Sequence, residues 1–127
     1  VESVTWPGRH FTQAELMCRC GRTACDAPTI PEPGLVTLLD DLRDTVGGPL
    51  VVTSGLRCAA HNAALGGDPT SGHLTGTEAD LACPTSRARY RLLTAAFARG
   101  VPRVGIYQKH IHIGLRSALP QDVCWWG

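Results

Sequence analysis

Glycine and proline set the scale of every element this chain can form. The 127 residues contain 14 glycines and nine prolines, well above the roughly 12% of average usage. Proline removes a backbone donor and glycine is costly inside helices and strands. The chain is therefore expected to fold as short elements joined by tight turns, over the whole span 1–127 as a single domain. Residues 1–34 read as irregular, with prolines at 7, 28, 31 and 33, apart from a turn or two of helix at Phe11–Leu16. There Thr12 and Glu15 have the spacing of a capping box.

Two stretches escape this punctuation. From Pro33, Leu35, Leu38, Leu39, Leu42 and Val46 recur at helical spacing until Gly47 and Gly48 end the run. A second long helix, capped by Ser86 and closed by Gly100, is predicted to bury Tyr90, Leu93, Ala96 and Phe97. A short helix over 59–65 is also expected. Strands are predicted at 49–53, 78–82, 103–107 and 111–115, with the last two joined by a turn at Gln108 and Lys109. In the last strand Ile111, Ile113 and Leu115 alternate with His110, His112 and Gly114. A period of two puts both histidines on one face and the aliphatic side chains on the other. The tail reads as turn-like up to Val123, with Trp125 and Trp126 covering an edge of the core. The fold class expected is α+β: a small, mainly antiparallel sheet packed against two main helices.

Twelve basic against 11 acidic side chains give no electrostatic footprint for nucleic acid, and neither nucleic acid nor membrane is expected as a partner. The apolar runs fall far short of the roughly 20 residues that span a bilayer. Six cysteines permit three disulfides, as in an exported protein. The crowding of Cys18, Cys20 and Cys25 alternatively suits a structural zinc site.

The chemistry concentrates on three histidines. His10 and His61 stand alone and read as surface or locally bonded imidazoles. His73 lies in the polar loop 68–76, Asp80 follows seven residues later in a strand, and His112 comes from a neighbouring strand. A loop turning back at Gly76 brings the first two side chains to one point. Histidine nitrogen and carboxylate oxygen are both zinc ligands, and three protein ligands leave a fourth position for a water whose pKa zinc lowers. The same residues, taken singly, also fit a capped turn, a surface aspartate and a chance pair of histidines.

In order along the chain stand Ser54-Gly55-Leu56-Arg57, Asn62, Gly66-Gly67, Ser71-x-His73-Leu74-x-Gly76-x-x-Ala79-Asp80, Gly105-Ile106-Tyr107 and Ile111-His112. This series resembles the zinc D-Ala-D-Ala carboxypeptidases and related murein endopeptidases, a superfamily that includes the hedgehog signalling domain. The segment Phe11 to Cys18 and the tail Leu119 to Trp125 are similar to those of its short phage and prophage members. The resemblance implies a hedgehog-like or D-Ala-D-Ala peptidase-like fold and a zinc ion held by His73, Asp80 and His112. It also implies an Arg57 that grips a substrate carboxylate. Ser71 falls close to bound substrate, or holds its loop through a local backbone bond. His110 is placed to assist an oxyanion or move a proton, or else packs beside the site.

Two positions depart from the family pattern. Lys109 stands where several branches have a catalytic acid, and Gly114 where many close relatives have an aspartate. Glu78, on the face of Asp80 and at a position usually occupied by a small residue, is the candidate replacement as base or as support for a ligand, or else is a surface or ion-paired carboxylate. A Cys58–Cys83 bridge would tie the loop of Arg57 to the strand of Asp80. The implied activity is hydrolysis of peptidoglycan stem peptides or cross-bridges by a monomeric enzyme that is secreted, periplasmic or phage-associated. The alternative is a non-catalytic, zinc-stabilised module that binds the cell wall or belongs to a phage structure.

Overall fold

A computed structural model describes residues 6, 8–22 and 25–127; the parts of the irregular segment at 1–5, 7, 23 and 24 lie outside the described residues. Helix α1 is one turn, Gln13–Leu16, and its capping box is formed as the sequence predicts. Thr12 caps the turn while the Glu15 carboxylate accepts the Thr12 amide at 2.9 Å. Helix α2, Pro33–Val46, carries proline in its first turn and ends at Gly47 in the left-handed conformation. Then come strand β1 (Val52–Ser54), helix α3 (Ala59–Ala64), a 3-10 turn (Gly72–Leu74), strand β2 (Glu78–Ala82) and helix α4 (Ser86–Ala98). Strands β3 (Arg103–Ile106), β4 (His110–Gly114) and β5 (Val123–Trp126) complete the chain.

The five strands form one sheet in the order β1-β2-β4-β3-β5. All pairings are antiparallel except that of β3 with β5. The class is α+β, as expected. One face of the sheet offers Ala79, Leu81, Val104, Ile111 and Ile113 to the core, where they meet Leu35, Val36, Leu39 and Leu42 of α2 and Leu92, Ala95 and Ala96 of α4. Each large aliphatic side chain buried there contributes about 1.5–3 kcal/mol. The opposite face carries Glu78 and Asp80 of β2, His110 and His112 of β4, and Arg103 of β3.

Four expectations are corrected. Thr85, not Ser86, caps α4, accepting the Ala88 amide at 3.0 Å. The buried face of α4 is Leu92, Ala95 and Ala96, whereas Tyr90 is 73% and Phe97 52% exposed. Small residues at the contact let α4 lie close against α2 and β4, and the aromatic rings fall to its flanks. The tail is turn-like up to Val123, as expected, but Val123–Trp126 then forms an edge strand rather than a cover over the core. Val123 and Trp125 are half-buried while Trp126 is 82% exposed, as period two requires. Finally, none of the six cysteines is bridged, so Cys58 and Cys83 do not pair. The sulfur of Cys58 groups instead with those of Cys18, Cys20 and Cys25.

Among the described residues no helix is long and apolar enough to cross a membrane.

Candidate functional site

The register of the sheet builds the centre of the site. Asp80 and His112 are direct cross-strand partners of β2 and β4, and His112 Nδ1 lies 2.8 Å from Asp80 Oδ1. His73 reaches them from the 3-10 turn. That turn is capped by Ser71, whose hydroxyl accepts the His73 amide at 3.2 Å. The chain then reverses at Gly76, which has a φ of 71° that favours glycine. The Gly76 carbonyl accepts the Glu32 amide at 2.9 Å. The loop thus turns back at Gly76 as the sequence predicts.

One ligand atom each from His73, Asp80 and His112 lies within 4.8 Å of the other two. His73 is 2% exposed, and its Nδ1 is 2.7 Å from the Gly55 carbonyl oxygen. A carbonyl only accepts, so Nδ1 carries a proton, and in the neutral tautomer this selects it is Nε2 that holds the lone pair. That Nε2 is buried without a hydrogen-bond partner, 3.4 Å from Asp80 Oδ1. An unpaired lone pair buried beside a carboxylate and a second imidazole is costly in a metal-free fold. It is the donor that a divalent cation requires, and the nitrogen and oxygen donors fit zinc.

Further side chains hold this centre. Arg57 donates from Nε to Ser54 at 2.9 Å, and from its two amino groups to Asn62 and to Asp80 Oδ2, both at 3.1 Å. Asp80 therefore leaves Oδ1 facing the imidazoles. Burial opposes ionisation of Asp80, but the hydrogen bond from His112 leads the contacts that outweigh burial and hold the carboxyl well below the usual range. The His112 ring is sandwiched between carboxylates, with Asp80 on Nδ1 and Glu78 Oε1 on Nε2. Burial lowers its basicity, but the two hydrogen bonds prevail and raise it. Glu78 is 1% exposed; its Oε2 accepts from Arg103 Nε at 2.9 Å. Despite burial, His112 and Arg103 keep the Glu78 carboxyl below its ordinary value.

Two glycines make room for Glu78. In register, Gly114 lies between Glu78 and Arg103. A Cβ on Gly114 would stand 2.6 Å from Glu78 Cγ and Oε2, and one on Gly72 would stand 2.5 Å from Glu78 Cδ. The carboxylate of residue 78 thus fills the space that a side chain at 114 would need.

The centre opens into a cleft of about 630 Å³, which is also lined by Arg57, Ser71, Glu78, Arg103, Tyr107, His110 and Trp125. His110 is half-buried; its Nε2 is 3.8 Å from Asp80 Oδ1 and its ring stacks on Tyr107 at 4.4 Å. Burial pushes its pKa down. Tyr107 accepts a hydrogen bond from Trp125 Nε1 at 3.0 Å. Lys109 is exposed in the β3–β4 turn and does not line the cleft. His10 bonds Asp44 at 2.7 Å, away from the cleft.

Sequence reasoning brings together every residue of the centre but misses Arg103, Tyr107 and Trp125. Arg103 was in reach: it alternates with Gly105 on the strand paired to β4, so it shares the face of His112. Trp125 depends on the parallel pairing of β5 with β3, a contact that no local pattern announces.

A family model described as peptidase M15 matches residues 9–114. No curated protein matches the chain.

Proposed function

The chain belongs to the peptidase M15 family, whose members are zinc-dependent, and on that premise we propose that it hydrolyses peptide bonds of peptidoglycan, either a terminal D-Ala or a cross-bridge. The observation that carries the reading is the partnerless Nε2 of His73, aimed at Asp80 and His112 where the centre opens into the cleft. His73, Asp80 and His112 would hold the zinc. When bound, the ion supplies a Lewis acid for the scissile carbonyl and lowers the pKa of water.

The chain's own residues divide the remaining work. Glu78 accepts from His112 Nε2 and leaves Nδ1 toward the centre, the arrangement in which a carboxylate orients a metal-binding imidazole. Glu78 is a positioning residue, since both of its oxygens are engaged. Arg57 orients Asp80 and lines the cleft, where its remaining N–H groups suit a substrate carboxylate. Ser71 keeps the His73 turn in place and borders the same space. His110 Nε2, with its ring held by Tyr107, is the group left to assist an oxyanion or carry a proton to the leaving amine.

A non-catalytic, zinc-stabilised wall-binding module is the second reading. It is favoured by the engagement of Glu78 and by the lack of a carboxylate at positions 109 and 114. Incubation of the zinc-loaded protein with purified sacculi separates the two. Release of peptides or D-Ala, abolished by chelator and restored by zinc, supports the peptidase acting at the cell wall. Retention on sacculi with no released product supports the module and refutes the enzyme.

A further inference from the structure

A second cluster contains none of the cleft-lining residues. The sulfurs of Cys18, Cys20, Cys25 and Cys58 all lie within 4.8 Å of one another, and none is bridged. Three of them already accept backbone amides: Cys18 from Cys58 at 3.3 Å, Cys20 from Arg22 at 3.4 Å, and Cys58 from His61 at 3.4 Å. Four sulfurs around a tetrahedral zinc, at about 2.3 Å each, stand roughly 3.8 Å apart. The observed grouping is compatible with that spacing, whereas a disulfide would draw the sulfurs into pairs at about 2.05 Å.

The segment carrying three of these cysteines needs an anchor. None of the described residues from 17 to 25 is buried, and Met17 is 40% exposed. No apolar side chain of this segment therefore fixes it to the core. Two hydrogen bonds bring the region against β1 and its following loop: Leu56 N to Leu16 O, and Arg19 to the Val52 carbonyl, both at 2.9 Å. Cys58 is the N-cap of α3 and directly follows Arg57. A cross-link at Cys58 would thus fasten the N-terminal segment to the backbone that presents Arg57 to Asp80.

We propose that Cys18, Cys20, Cys25 and Cys58 bind a structural zinc ion, distinct from the ion assigned to the histidine centre. Four protein ligands leave no open position, so this ion takes no part in hydrolysis. An all-sulfur tetrahedral set selects zinc or iron among common metals, and the absence of redox chemistry in the proposed reaction favours zinc. Each thiol gives up its proton on binding, so the site loads more tightly as pH rises.

The test uses the full chain purified with zinc, and combines metal analysis, thiol counting and cobalt(II) replacement. Two zinc ions per chain are expected, one for each cluster, with one retained in a His73→Ala/His112→Ala variant and one lost in Cys20→Ser. All six thiols should react after denaturation with chelator. Cobalt(II) should give thiolate-to-metal charge-transfer absorption, and that signal should be weakened by Cys20→Ser. The histidine centre contains no sulfur, so the signal reports this site even if the peptidase reading fails. A single zinc per chain, fewer than six reactive thiols, iron in place of zinc, or cobalt absorption without charge transfer would each overturn the proposal. Should a variant not fold, the cobalt spectrum and thiol count of the unaltered chain decide.

Discussion

Replacing Gly114 by alanine places a methyl group where the Glu78 side chain lies. The new carbon would stand 2.6 Å from both Cγ and Oε2, about 1 Å inside an ordinary contact of 3.5–4.0 Å. Glu78 cannot swing aside freely, because doing so abandons Arg103 at 2.9 Å and the bond to His112. If β2 and β4 spread to keep those bonds, the cost is that of overpacking, about 1–3 kcal/mol. If the carboxylate leaves Arg103 buried and unpaired, the cost rises to about 3–5 kcal/mol. Zinc affinity should also fall roughly 10- to 100-fold as His112 loses its partner. The diagnostic is a double-mutant cycle with Glu78→Ala, read by urea unfolding and by zinc titration against a competing chelator. In the Glu78→Ala background the methyl group enters vacated space, so Gly114→Ala should cost almost nothing. The predicted coupling therefore equals that cost, about 1–3 kcal/mol if the strands spread and about 3–5 kcal/mol if Arg103 loses its carboxylate. Additivity within about 0.5 kcal/mol would refute the claim that residues 78 and 114 compete for one space.

Three further outcomes follow from the geometry. Arg57→Ala removes the anchor on Asp80 Oδ2 and should weaken zinc binding tenfold or more as well as turnover; unchanged zinc affinity would confine Arg57 to the substrate. Leu92→Ala should destabilise the fold by about 2–5 kcal/mol, and Phe97→Ala by about 1 kcal/mol or less; the reverse order in denaturant melts would refute the packing face of α4. Hydrogen bonds from Arg9 and His10 hold the Asp44 carboxyl below its ordinary value, so its contribution is present above the usual aspartate pKa of about 3.9 and is lost as pH falls through the lowered value. Asp44→Asn should therefore lower Tm slightly at neutral pH, with the difference closing in acid; an offset that persists at the lowest pH would contradict this.

What the sequence disclosed was what local rules control. The capping box at Thr12 and Glu15, the α2 stripe ending at Gly47, and strand β2 at 78–82 each follow from a short pattern, and each is present. The alternation of His110, Ile111, His112 and Ile113 gave the two faces of β4 directly, whereas the placement of His112 opposite Asp80 comes from the register of β2 with β4, which no local pattern fixes. Errors arose where two patterns overlap or where partners are distant. In α4, Leu92, Leu93, Ala95, Ala96 and Phe97 support more than one apolar stripe, and packing of the alanines against α2 and the sheet selected between them. The edge strand at 123–126 has no hairpin turn to announce it, because its partner β3 runs parallel. Cys58 lies far along the chain from Cys18, Cys20 and Cys25, so no spacing could join it to them. Glu78 was legible as a neighbour of Asp80 on one face, but its engagement by Arg103 across Gly114 required three strands in register.

The central claim concerns one position in space, and diffraction at the zinc absorption edge locates it. Crystals of the zinc-loaded chain should show an anomalous peak among His73 Nε2, Asp80 Oδ1 and His112 Nδ1, with His73 Nδ1 still on the Gly55 carbonyl and Glu78 on His112 Nε2. No peak there in zinc-replete crystals, with His73, Asp80 and His112 satisfied by hydrogen bonds to one another, would contradict the account.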